Sequence, residues 1–194
     1  MKTAPRPRPA RPPGEIRIIG GLWRRTRLPV PDRPGLRPTP DRVRETLFNW
    51  LGGDLQGWRC ADVFAGTGAL GLEAASRGAA PVQWCEQDRE LARGITQHLT
   101  RLQAREAQVH VGDGLRWLQG QAGASWDLLL LDPPFDSALF EPALAAARAA
   151  VADAGWCYLE APRAWSSEEL AARGWRLHRH LRAGQVFAHL LAAA

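Results

Sequence analysis

Short apolar runs alternate along this chain with longer stretches in which apolar residues recur every three or four positions. The runs Trp58–Phe64, Val82–Cys85, Ala107–Val111, Trp126–Leu131, Trp156–Ala161, Trp175–Leu181 and Val186–Leu191 predict strands. Helices are predicted near 68–77, 88–102, 114–120, 137–150 and 166–173. Successive β-α units of this kind build a parallel sheet covered by helices on both faces. Between the last two strands, Arg182-Ala183-Gly184 leave too short a gap for a parallel crossover, so that pair is expected to be an antiparallel hairpin. The expected fold class is therefore α/β: a Rossmann-like, seven-stranded, mostly parallel sheet ending in an antiparallel hairpin.

The N-terminal part follows a different pattern. Ile16-Arg17-Ile18-Ile19 and Leu22 to Leu28 flank Gly20-Gly21, a two-glycine hairpin signal. Thr39 reads as a helix cap, Pro40 as the first helical position and Asp41 as an acid placed at the positive end of the helix dipole. Val43, Leu47, Trp50 and Leu51 then form one apolar stripe, and Gly52-Gly53 ends the helix. Three regions are expected: a disordered Pro/Arg arm over 1–15, a hairpin-and-helix extension over 16–52, and the α/β domain over 53–194.

Charge sharpens this division. Residues 1–44 carry twelve basic and three acidic side chains, whereas the rest carries thirteen basic and seventeen acidic ones. A basic front on a mildly acidic body points to a polyanionic partner reached through the N-terminal part. The apolar runs are too short for a membrane-spanning helix, and the N-terminus lacks the apolar core of a signal peptide. Cys60, Cys85 and Cys157 form no C-x-x-C pair, which suits inert packing groups in a reducing cytoplasm. His178, His180 and His189 fall on terminal strands without Cys or carboxylate partners, so no metal is expected. Most of the tryptophans fall in or beside strands and read as core, with Trp23 an exception among arginines.

In an open α/β sheet, ligands bind beyond the carboxyl ends of the strands, where this chain puts its unusual residues. After the first strand, Gly66, Gly68 and Gly71 form a G-x-G-x-x-G at a strand-to-helix turn, which lets the backbone approach a ligand closely. Glu86 ends the second strand, where an acid can accept both hydroxyls of a ribose. Gly112-Asp113-Gly114 ends the third and offers an acceptor for an adenine amino group. These features describe an adenosine site and fit either NAD or S-adenosylmethionine.

The fourth strand separates the two. Leu128 to Leu131 run straight into Asp132-Pro133-Pro134-Phe135. The prolines lack N–H donors and fix their φ angles, so the Pro133 carbonyl is held in one direction beside the Asp132 carboxylate. Such a pair can take both hydrogens of one exocyclic NH₂ group, with Phe135 stacking on the base that bears it.

The glycine loop, Glu86, Asp113 and Asp132-Pro133-Pro134-Phe135 resemble the class I S-adenosylmethionine methyltransferases that modify amino groups. A narrower resemblance runs from about Arg17 to Gly184-Gln185-Val186. It rests on Arg17-Ile18-Ile19-Gly20-Gly21, on the stretch from Arg37-Pro38-Thr39-Pro40-Asp41-Arg42 to Asn49-Trp50, and on Phe64 to Ala74. These are similar to the bacterial guanine-N2 methyltransferases of small-subunit (16S) ribosomal RNA. The resemblance implies a donor site of Asp62, Phe64, Ala65, Gly66, Thr67, Gly68, Glu86, Gln87, Asp113 and Gly114, with Asp62 near the methionine amino group. It implies a catalytic set of Asp132, Pro133, Pro134 and Phe135, with S-adenosylmethionine as cofactor, S-adenosylhomocysteine as product and no metal. It also implies a guanine target in 16S rRNA of the small subunit or its assembly intermediate. Phosphates would be gripped by Arg24, Arg25, Arg27, Arg37, Arg42 and Arg44 on a monomeric enzyme. An adenine-N6 methyltransferase, an NAD(P)-dependent oxidoreductase and a non-enzymatic RNA-binding protein are the alternatives; the oxidoreductase leaves Asp132–Phe135 and the terminal hairpin without a purpose, and the intact Asp132 and glycine loop count against the non-enzymatic protein.

Overall fold

Leu128 to Leu131 are all fully buried, as a strand covered by helices on both faces must be. They lie in the middle of a seven-stranded sheet in a computed structural model that describes residues 14–31, 36 and 38–194. A separate two-stranded hairpin, β1 (Glu15–Arg17) and β2 (Arg27–Pro29), precedes α1 (Asp41–Trp50). The sheet then forms from β3 (Cys60–Asp62), β4 (Val82–Glu86), β5 (Ala107–Val111), β6 (Trp126–Leu131), β7 (Val151–Ala161), β8 (Trp175–Ala183) and β9 (Val186–Ala193). Its helices are α2 (Ala69–Ser76), α3 (Arg89–Arg101), α4 (Gly114–Gln119), α5 (Phe140–Ala150) and α6 (Ser167–Ala171).

The spatial order is β5-β4-β3-β6-β7-β9-β8. All pairs from β5 to β7 are parallel, while β9 runs antiparallel to both β7 and β8. The expected fold class is the observed one, terminal hairpin included. Because the chain steps from β3 outward to β4 and β5 and then returns to β6 on the other side, the order reverses between β3 and β6. A crevice opens at such a switch point.

Several boundaries differ from the sequence expectation. β3 covers Cys60–Asp62 and not Trp58–Phe64, because Arg59 turns its carbonyl to Asp127 N and Leu128 N outside the ladder. β7 begins at Val151, opposite Trp126, and a bulge separates that pair from Leu128↔Trp156. The expected two-glycine turn is not one: the hairpin pairs Ile16 with Leu28, and residues 18–26 form its connection. Gly20-Gly21 instead lies along α2. Ile19 N and Gly20 N donate to the Glu73 carboxylate at 2.9 and 2.8 Å, and Leu22 N donates to Ser76 O. Gly14 and Glu15, expected in the arm, belong to the hairpin, since Val30 N donates to Gly14 O and Glu15 pairs with Pro29. Residues 1–13 of the arm lie outside the described residues.

This docking explains why α2 is buried nearly all round: the sheet covers one side and the extension covers the other. Ile16, Ile18, Leu28, Val43 and Leu47 share one core with Leu128, Leu130, Tyr158 and Leu190. Cys60, Cys85 and Cys157 are buried, as are Trp84, Trp126 and Trp175.

Candidate active site

A cavity of about 930 Å³ opens over the carboxyl ends of β3, β4, β6 and β7. The last residue of β3, Asp62, and the turn after it, with Phe64, Ala65, Gly66 and Thr67, line its wall. Gly66 holds φ at +53°, the left-handed region glycine reaches without strain, and this turns the chain toward α2. Gly66 N donates to Glu86 Oε2 at 2.6 Å, and Asp88 N donates to Oε1 at 2.7 Å. The Glu86 carboxylate is thus fixed at the end of β4, with lone pairs remaining on each oxygen. Its pKa is nevertheless raised, because burial outweighs those two hydrogen bonds.

Asp113 caps α4 by accepting Arg116 N at 2.7 Å, which fixes its place on the wall. Next to it, Gly114 packs so tightly on the turn after β3 that a Cβ there would lie 2.3 Å from Val63 O. Asp62 is buried and accepts Gly71 N at 2.9 Å. Burial lifts its pKa to about 8; the Gly71 N–H opposes the shift, and the charges of Glu86 and Glu160 add to it.

Beyond β6 stands the second half of the wall: Asp132, Pro133, Pro134 and Phe135. The Pro134 carbonyl accepts Ser137 N at 3.1 Å and Ser137 Oγ at 2.5 Å. The Pro133 carbonyl accepts no hydrogen bond among the described residues. Asp132 has a pKa well above the usual carboxylate range, first through burial and then through the charges of Glu160 and Asp62. Phe135 stays 37% exposed at the rim, unusual for a phenyl ring.

A family described as conserved hypothetical protein 95 matches residues 16–192. The Ribosomal RNA small subunit methyltransferase D of Escherichia coli K12 is 44% identical over 178 residues, covering 89% of this chain and 87% of that protein. The chain belongs to the ribosomal RNA small subunit methyltransferase D family. Its namesake in Haemophilus influenzae Rd is 46% identical over 134 residues, covering 68% of this chain and 69% of its own length. Among solved structures, the Escherichia coli protein yhhF superposes with a TM-score of 0.80 at 38% identity, covering 93% of this chain and 98% of that one. Membership makes the chain an enzyme, a methyltransferase.

Within that family, the cavity brings together most of the residues that the sequence singles out. Gly68 is an exception. It sits behind the wall at the start of α2, where a Cβ would meet Ile95 at 2.9 Å. Gly71 packs helix on strand in the same way, against the Trp84 indole.

Arg44 needs a larger correction. Its guanidinium is not on the phosphate-facing surface: it is buried, pairs with Asp41 at 2.6 Å and Glu73 at 3.3 Å, and donates to the carbonyls of Thr39 and Arg17. It ties the extension to α2. Arg24, Arg25 and Arg42 are exposed; Arg27 is exposed and paired with Glu15; Arg37 lies outside the described residues.

Thr39 is not the helix cap either. Pro40 occupies that position, and the Thr39 hydroxyl donates to Glu160 Oε1 at 2.7 Å. Glu160, at the end of β7, lines the cavity and belongs to no motif that the sequence displays. The one available signal is an acid inside an otherwise apolar strand, Tyr158-Leu159-Glu160-Ala161. The β8–β9 turn, Ala183 to Val186, completes the wall.

Proposed function

We propose that this chain transfers a methyl group from S-adenosylmethionine to the exocyclic N2 amine of a guanine in 16S rRNA. The observation that carries this reading is one cavity with a glycine turn and Glu86 at one end and, at the other, Asp132 beside a Pro133 carbonyl that no described residue pairs with. The small-subunit ribosomal RNA substrate follows the name of the Escherichia coli relative.

The residues present fit the donor. Asp62 and Asp132 both have raised pKa values in one cavity, and among the described residues no cation offsets either shift. Such a pocket favours a ligand that brings positive charge. When bound, S-adenosylmethionine supplies an electrophilic methyl group on a cationic sulfur, leaving S-adenosylhomocysteine.

Each part of the wall then has a task. Glu86 accepts the ribose hydroxyls, Asp113 the adenine amino group, and Asp62 the methionine ammonium; the backbone from Phe64 to Thr67, with Gln87 and Gly114, encloses them. Asp132 and the Pro133 carbonyl accept the two N2 hydrogens of the guanine. This pyramidalises a nitrogen whose lone pair is otherwise spread into the ring, and it aims that lone pair into the cavity. Positioning and electrostatics supply the catalysis. Asp132 stabilises the positive charge growing on N2 and takes the proton that leaves it. Pro134 stiffens the turn, and Phe135 stacks on a base swung out of its helix.

Arg24, Arg25, Arg27 and Arg42 grip phosphates of the small subunit or its assembly intermediate, and a single copy of the chain suffices. Neutralising Arg24, Arg25 and Arg42 together should weaken RNA binding. It should also flatten the slope of log affinity against log salt by about one for each phosphate left without its arginine. The deciding experiment incubates the protein and labelled donor with small subunits, naked 16S rRNA or DNA, followed by nucleoside analysis. N2-methylguanine in 16S rRNA is the expected product; N6-methyladenine, or no methylated nucleoside, would overturn the reading.

A further inference from the structure

Two oxygen acceptors at Asp132 and Pro133 can receive the hydrogens of any exocyclic amine, so they do not separate guanine from adenine. The difference lies at the neighbouring ring nitrogen. N1 of guanine carries a hydrogen, whereas N1 of adenine carries a lone pair. A guanine-reading site therefore needs one further acceptor beside Asp132.

Glu160 stands where such an acceptor would have to be. Leu131 pairs with Leu159 on adjacent parallel strands, so Asp132 and Glu160 leave the sheet side by side. The Glu160 side chain is buried, yet it lines the cavity. Its Oε1 accepts Thr39 Oγ1 at 2.7 Å and Tyr158 OH at 2.9 Å, which fills the lone pairs of that oxygen. Among the described residues Oε2 accepts nothing. Burial raises the Glu160 pKa on balance, while the Thr39 and Tyr158 hydroxyls and the Arg44 charge act the other way and favour the ionised form.

We infer that Glu160 determines base specificity, with Oε2 accepting the N1–H of the target guanine while Asp132 and Pro133 hold its N2 amine. The inference rests on the guanine reading above and adds the group that selects the base.

The test compares kcat/KM for RNA bearing guanine or 2-aminopurine at the target position, presented as whichever substrate form the enzyme methylates. 2-Aminopurine keeps the 2-amino group but lacks O6 and carries a lone pair at N1, so the wild-type preference reads both edges and the change of preference in a Glu160 variant reads the N1 contact. Wild-type protein should prefer guanine by on the order of 10–100-fold, the worth of one hydrogen bond to a charged group. In Glu160→Gln the amide oxygen takes the place of Oε1, because Thr39 and Tyr158 need an acceptor, and the amide NH₂ faces the base. That variant should lose activity on guanine and reverse the preference toward 2-aminopurine. Its affinity for S-adenosylhomocysteine by calorimetry should stay within about twofold, since Glu160 is outside the donor contacts. Equal wild-type rates on the two bases, or a Glu160→Gln preference identical to wild type, would overturn the inference. Should the variant not fold, Glu160→Asp, which draws the carboxylate back by one methylene, takes its place: a guanine preference lowered toward equal rates supports the inference, and one identical to wild type overturns it. Failure of the wild type to make any N2-methylguanine would strike the proposed function instead.

Discussion

The two ends of the cavity are both built from acids at the ends of parallel strands, but the acids are held by different means. At the β4–β5 end, Glu86 and Asp113 are anchored by backbone N–H groups of Gly66, Asp88 and Arg116, two of which lie within three residues of their acceptor. At the β6–β7 end, Glu160 is held by side-chain hydroxyls, one of them on Thr39, 121 residues away. Asp132 is placed by its rigid Pro-Pro turn and by packing. Backbone donors stabilise a carboxylate and fix it locally; burial beside other acids does the reverse. One end is therefore preformed to hold hydroxyls and amines, the backbone donors at Glu86 partly offsetting its burial, whereas at Asp132 neighbouring acids add to the cost of ionisation and a cationic or amine-bearing ligand relieves it.

Asp132→Ala tests this contrast with the largest effect. Single-turnover transfer should fall by at least about 10²–10³-fold, the scale of removing a group aimed at developing charge. Affinity for S-adenosylhomocysteine should hardly change; undiminished chemistry would refute the role.

Glu86→Gln should do the opposite. An amide NH₂ would then face the N–H of Gly66 or Asp88, so donor affinity should drop about 10–100-fold by calorimetry. The guanine-to-2-aminopurine preference should stay where it is.

A third test uses pH. The Asp62 carboxyl ionises near 3.8 when unperturbed and near 8 in the folded protein, so the folded form binds the extra proton between those values. Stability of the ligand-free protein should therefore fall as pH rises from about 4 to about 8, and Asp62→Asn should make that decline shallower. Melting curves across this range would show it; identical slopes for the two proteins would count against the buried proton.

The smallest change is Thr39→Val, which removes one donor from Glu160 and about 1 kcal/mol of stability by thermal unfolding. It should lower the guanine preference slightly and leave donor affinity alone.

Arginine shows where the sequence is legible and where it is not. Arg24, Arg25, Arg42 and Arg44 look equivalent as charges on a basic segment. Three reach solvent, but the fourth is buried between Asp41 and Glu73. Removing one partner of such a pair strands a buried charge, so Arg44→Ala would report on folding and not on RNA contact. Glu160 is hidden for the complementary reason: inside Tyr158-Leu159-Glu160-Ala161 an acid gives no local sign of the hydroxyl that will meet it.

By itself the sequence determined the alternation of strands and helices, the closing hairpin, the glycine turn and the rigid Asp132-Pro133-Pro134-Phe135 corner. Each depends on periodicity or turn chemistry within a few neighbouring residues. Tertiary structure alone decided that Gly20-Gly21 would lie along α2, that Arg44 would turn inward, and that Thr39 would reach Glu160. Those outcomes depend on which distant segments share a core, and a burial partner tens of residues away leaves no mark on the local pattern.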